Sequence, residues 1–125
     1  MREPITIELP WLPDKKVCGN TRTPPRYQAA EKRRQREHGQ FDGAGALADW
    51  RAVPKIEIAY EFHTFYKRDV DGLVTGMKAF QDGIADAGVV VNDGPDHVVP
   101  GPSTRVKAAN TLEEKTVVTF QEVLT

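Results

Sequence analysis

Ile56, Ile58, Tyr60, Phe62 and Thr64 alternate with Lys55, Glu57, Ala59, Glu61 and His63, the period of two that a strand with one buried face requires. A different period follows. Leu73, Met77, Phe80 and Ile84 stand at i, i+4, i+7 and i+11, which predicts an amphipathic helix starting near Asp71. Asp71, Thr75, Lys78 and Asp82 repeat that spacing on roughly the opposite side, and Gly76, Ala79, Gly83 and Ala87 form a third stripe of small residues. A glycine inside a helix costs about 1 kcal/mol relative to alanine, so this stripe predicts a backbone packed closely at that face.

The other elements are shorter. Ile5, Ile7 and Leu9 alternate with Thr6 and Glu8 as a strand that Pro10 ends, and residues 11–14 make a rigid turn. Residues 14–26 read as a polar loop. Residues 27–38 favour helix but carry so few apolar side chains that the helix must lie on the surface. Residues 41–45 break that pattern at Gly43 and Gly45, and a short helix over 46–51 is expected to place Leu47 and Trp50 on one face. Val89, Val90 and Val91 are a short buried strand candidate closed by a turn at 92–95. Residues 97–109 and 115–123 read as strands joined by the polar turn 110–114. The order indicates an α+β fold: one small domain over residues 1–125, a mixed β-sheet with helices packed on it.

Composition narrows the class. A chain of 125 residues with 39% hydrophobic and 28% charged residues can bury one core, which excludes wholesale disorder. No apolar run approaches the ~18–20 residues of a membrane span, and the start Met1-Arg2-Glu3-Pro4 does not read as a signal peptide. The single cysteine, Cys18, excludes an intramolecular disulfide, and with three scattered histidines it excludes a Cys/His zinc cluster. A reducing cytosol is the compartment expected.

Charge is unevenly placed. Residues 1–55 hold 11 Lys/Arg against 7 Asp/Glu, and residues 56–125 hold 6 against 11. Between Lys15 and Arg36, eight basic residues face only Glu31. Such a chain could hold a polyanion with its first part and cations with its second. On charge alone, a solvated helix face and a loop explain the pattern equally well.

The chemistry-bearing residues cluster after the long strand. In Arg68-Asp69-Val70-Asp71, extended residues at i and i+2 point to the same side, so two carboxylates can converge. A divalent cation relieves their repulsion, and Mg²⁺ prefers a few hard oxygen ligands. Asp93, in a turn after a short strand, offers a third. Taken singly, each residue has a plainer role: Asp71 as a helix cap, Asp93 as a turn former, Lys78 and Asp82 as a surface ion pair.

Order and spacing add to this. An opening strand with Leu9-Pro10-Trp11 and Pro13 precedes a basic loop. A long strand, Arg-Asp-x-Asp, a helix with Lys78 and Asp82-Gly83-Ile84, Asn92-Asp93 and Val98-Val99 follow. The chain resembles the RusA family of Holliday junction resolvases, found in bacteria and especially in phages and prophages. The likeness covers roughly residues 4–123 and is most specific over 68–99, where the family pattern is Asp-x-Asp-Asn, Lys, Asp and a paired Asp-Asp.

The resemblance implies a RusA-like fold and a Mg²⁺-dependent endodeoxyribonuclease, Mn²⁺ being an alternative metal. It implies resolution of four-way DNA junctions by paired symmetric nicks in recombination and repair, by a homodimer in the bacterial cytosol with no membrane association. Asp69, Asp71 and Asp93 match the family's metal-binding catalytic aspartates, and Lys78 matches its catalytic lysine. DNA contacts are then expected from Lys15, Lys16, Arg22, Arg26, Arg33, Arg34 and Arg36, with Lys67 and Arg68 beside the carboxylates. The chain departs from the pattern at Gly72, where the family has Asn, in three extra residues before Lys78, and at Asn92, which replaces the first paired acid. Two other functions fit the same residues: a nuclease for flaps or forks, and a junction-binding or packaging-accessory protein that has lost cleavage. Either the small-residue stripe or the open sheet edge is expected to dimerise.

Overall fold

The structure, a computed structural model, describes residues 3–18, 23–91, 94 and 96–123. Its spine is the long alternating strand, β2 (Ile56–Thr64). The side chains of Ile56, Ile58, Tyr60, Phe62 and Thr64 are all buried, while Glu57, Ala59, Glu61 and His63 take the opposite face. Around it the sheet has the order β1 (Ile5–Leu9), β4 (Lys115–Glu122), β2, β3 (Val98–Lys107). β4 runs antiparallel to both β1 and β2, and β3 runs parallel to β2, so the expected mixed sheet is present. β3 and β4 flank β2 on opposite sides, so residues 108–114 must pass over its C-terminal end. A 3₁₀ turn there, Thr111–Glu113, is capped by Asn110, whose Oδ1 accepts from the amides of Leu112 and Glu113.

The helices are α1 (Pro25–His38), α2 (Ala44–Ala46), α3 (Val70–Gly76) and α4 (Lys78–Asp86). They pack on the face that carries Ile56 and Phe62, where Leu73, Met77, Phe80 and Ile84 join Leu47, Trp50, Val118 and Phe120 in one core. The apolar stripe read from spacing is thus buried in full. No helix among the described residues is long and apolar enough to cross a membrane.

Four expectations need correction. The helix expected from near Asp71 is two helices, because Met77 (φ −91°, ψ 0°) leaves helical geometry between α3 and α4. Residues 41–45 do not break α1; the backbone continues through a π-helical turn, Gly39–Gly43, into α2. Its glycines answer to packing. A Cβ at Gly39 would fall 2.2 Å from the Phe80 carbonyl oxygen, and one at Gly43 would fall 2.3 Å from Ile84 Cδ1. The 46–51 helix stops at Ala46, although Leu47 and Trp50 are both buried as expected. Val89 to Val91 yield one isolated parallel bridge, Val53 to Val90, with Val91 turned outward.

The small-residue stripe is used within the chain. A Cβ at Gly83 would meet the Arg36 carbonyl oxygen at 2.2 Å, and one at Gly76 would meet Pro13 and Cys18. Ala87, at the stripe's end, is exposed.

Candidate active site

β2 ends at Thr64, and residues 65–69 lead to α3. Asp69 is still extended (φ −74°, ψ 124°) and caps that helix, its Oδ2 accepting from the Gly72 amide at 3.1 Å. Asp71 is already helical, in the first turn, with an exposed side chain. The two carboxylates therefore do not alternate along a strand. Aspartate is a strong N-cap, so the helix starts one residue after Asp69 and sets both acids at its entrance. The capping role assigned to Asp71 as the plainer alternative falls to Asp69 instead.

Asp71 and Lys78 stand on separate helices, because the break at Met77 lies between them. Lys78 is 61% exposed and pairs with Asp82 at 2.6 Å. It also lines a cleft of about 310 Å³ with Val74, Thr75, Gln81, Val98, Val99 and Pro100. Thr75 links this cleft to the acidic entrance, since its hydroxyl donates to the Asp71 carbonyl at 3.0 Å. Parallel pairing sets Val98 beside Ile56, at the far end of β2 from residue 65, and Lys78, which opens α4, lines the cleft with Val98. Asp93 lies outside the described residues. Its neighbour Gly94 accepts the amides of His97 and Val98 and so opens β3, the strand that Lys78 faces across the cleft.

The Asp71 carboxylate accepts no hydrogen bond among the described residues, and Asp69 keeps one carboxylate oxygen unused by its cap. Hard, exposed carboxylate oxygens suit Mg²⁺ or Mn²⁺. Among the described residues no three His, Cys, Asp or Glu side chains are gathered to hold a metal ion, and the expected third ligand, Asp93, is outside that set.

The basic residues divide into two groups. Arg34 chelates Glu31 (2.6 and 3.0 Å) and lies 5.0 Å over the Trp11 ring. Arg36 clamps Asp86 from α1 to α4. Arg68 donates to the Pro13 carbonyl at 2.9 Å and to Cys18 Sγ at 3.2 Å. Each of these three expected DNA contacts has a partner within the chain. Burial pushes the Cys18 thiol up from its ordinary value, opposed by the nearby Arg68 guanidinium. By contrast Lys15, Lys16, Arg33 and Lys67 are exposed and form no ion pair among the described residues. Arg26 is exposed too, stacked 4.7 Å over Tyr27. Arg22 lies outside the described residues.

Arg68 has a further consequence. By holding Pro13 and Cys18, it fastens the turn that carries Lys15 and Lys16 to the residue just before Asp69. Gly76 tightens the same contact, because nothing larger fits against Pro13.

Sequence reasoning missed Arg105, Lys107 and Glu114, which bond the backbone that leads to Asp69. Their signal was weak: three charged residues at the end of one strand and in a turn. A cleft of about 740 Å³ lies at the end of the sheet, lined by Glu8, His63, Leu112 and Lys115 among others, and neither Asp69 nor Asp71 lines it. No protein-family model matches the chain, and no curated protein matches it.

Proposed function

We propose that this protein is a Mg²⁺-dependent, structure-selective endodeoxyribonuclease that nicks branched DNA, four-way junctions above all. The residue pattern that resembles the RusA family motivates the reading. The observation that carries it is the Arg68 tether, which joins two exposed lysines to the start of the acidic helix entrance. A phosphodiester drawn to Lys15 and Lys16 would be held close to Asp69 and Asp71, and the free carboxylate oxygens there suit a hard cation. When bound, Mg²⁺ would supply a Lewis acid and a more acidic water for phosphodiester hydrolysis. Lys78, released from Asp82, would stabilise charge on the phosphate.

A homodimer in the bacterial cytosol belongs to the same proposal, since a two-fold protein suits a near two-fold junction. Gly76 and Gly83 are occupied inside the chain, which favours the sheet edge as the dimer surface. One observation favours a second reading, a junction-binding protein without cleavage: Lys78 is held by Asp82, and Asp69 is engaged in capping.

A synthetic immobile four-way junction, incubated with the protein in Mg²⁺ or in EDTA beside a matched duplex, tests the proposal. Symmetric nicks on the junction alone, in Mg²⁺ alone, are expected. A junction-specific gel shift without nicks in Mg²⁺ or Mn²⁺ would establish the second reading. Neither shift nor nicks would remove both.

A further inference from the structure

The five residues between β2 and α3 decide where Asp69 stands, and their backbone is held by charged side chains from distant parts of the chain. Arg105, on β3, donates through Nη2 to the Thr64 carbonyl at 3.3 Å and to the Tyr66 carbonyl at 3.5 Å, and through Nε to the Thr64 hydroxyl. Lys107 Nζ donates to the Phe65 carbonyl at 2.6 Å and lies 4.6 Å over the Phe65 ring. Glu114, in the connection that passes over β2, accepts the Phe65 amide at 2.9 Å. Three successive carbonyls and one amide are thereby bonded by side chains that lie 39 to 49 residues away in sequence. A surface link of this kind would ordinarily bond water and vary in path. Charge-assisted bonds are stronger than neutral ones, and Arg105 bridges two carbonyls with a planar group that lysine lacks.

We infer that Arg105, Lys107 and Glu114 are positioning residues, a clamp on residues 64–66 that fixes the helix entrance carrying Asp69 and Asp71. The inference rests on the nuclease reading for its functional meaning, but the clamp itself can be measured without DNA. None of the three side chains touches the proposed reacting atoms; they act through the backbone.

The test uses the full chain with Arg105→Met, Glu114→Ala and Glu114→Gln. Amide hydrogen exchange should quicken over residues 65–73 in Arg105→Met and Glu114→Ala, with β4 and α4 unchanged. Mg²⁺ affinity by calorimetry, and the Mg²⁺ concentration for half-maximal junction nicking, should each worsen about tenfold, the scale typical of residues that orient metal ligands. Junction binding in EDTA should stay within about twofold, since no exposed phosphate-binding cation is lost. Glu114→Gln keeps an acceptor for the Phe65 amide without its charge and should lie closer to wild type than Glu114→Ala. Unchanged exchange at 65–73 would overturn the clamp, as would equal damage from Glu114→Gln and Glu114→Ala. So would exchange that rises evenly across the sheet. If wild-type protein does not nick, the nuclease reading falls while the exchange and calorimetric results still decide the clamp.

Discussion

Two joints hold this molecule together, and they are built on opposite principles. Where α1 crosses α4, the fit is one of shape: Gly39 lies against the Phe80 carbonyl and Gly83 against the Arg36 carbonyl, each with no space for a methyl group. Where β2 hands over to α3, the fit is one of charge, with Arg105, Lys107, Glu114 and Arg68 gripping main-chain atoms at the surface. Backbone cannot retreat from an added atom, whereas a surface hydrogen bond can be exchanged for water. The first joint should therefore govern stability and the second should govern the candidate chemistry.

The sharpest way to break this contrast is to fill the first joint. Gly83→Ala places a Cβ 2.2 Å from a backbone oxygen, and Gly39→Ala does the same from the opposite helix. Each should cost about 3 kcal/mol, at the upper end of overpacking effects because no flexible side chain can yield. Gly45, with nothing within 4 Å of its would-be Cβ, is the control. Gly45→Ala should change stability by less than about 0.5 kcal/mol. Denaturant unfolding of the three variants measures the difference, and equal midpoints would mean that the crossing is not tight.

At the second joint the expected loss is of activity with the fold retained. Asp69→Asn keeps a good helix cap, because asparagine and aspartate cap about equally well. It should nevertheless reduce junction nicking by at least about a hundredfold while binding in EDTA is kept or strengthened, since a carboxylate near the phosphate is gone. Asp71→Asn should do the same, as should Asp93→Asn. A variant that still nicks at the wild-type rate removes its residue from the site.

How much of this could be read in the sequence differs between the joints. The long strand, the stripe through Ile84 and the two last strands were legible because periodicity reports burial directly, and each stripe residue is buried. The crossing was half legible. Glycine in a helix at Gly76 and Gly83 signals close packing, but Gly43 carries the same meaning and reads as punctuation, because spacing alone does not say what a glycine faces. At the second joint the residue types Asp69 and Asp71 were legible, whereas their geometry was not. A cap forms one residue before a helix begins, and that boundary depends on tertiary contacts. Arg34, Arg36 and Arg68 were expected as DNA contacts, and their engagement inside the chain was illegible for a similar reason: their partners Glu31, Asp86, Pro13 and Cys18 are fixed by folding, and only Glu31 is a near neighbour in sequence.

That division of the arginines gives a smaller effect. Replacing Lys15 or Lys16 by alanine should reduce the salt dependence of junction binding by about one unit of slope each. Stability should stay within about 0.5 kcal/mol, because each is exposed and unpaired among the described residues. Arg36→Ala should show the reverse, with a lower unfolding midpoint and little change in slope. An equal slope change from all three would return Arg36 to the DNA-binding surface.

The smallest expected effect isolates the Arg36–Asp86 ion pair, which spans the shape-fitted joint. The Arg36 guanidinium, and after it Gln40, hold the Asp86 carboxyl below its ordinary range. A depressed value means that the folded chain favours the ionised form more than the unfolded chain does. The stabilisation is then complete above the unfolded carboxylate range and disappears as pH falls through the folded value, below about pH 4. Because both side chains are partly exposed, the pair should contribute less than about 1 kcal/mol. Asp86→Asn keeps an acceptor for one donor and removes only the charge. Thermal midpoints of wild type and Asp86→Asn should differ by a few degrees near neutral pH and converge as acid protonates the folded carboxyl, below about pH 4. A difference that persists in acid would assign the contribution to shape and hydrogen bonding, making the α1–α4 crossing a joint of packing throughout.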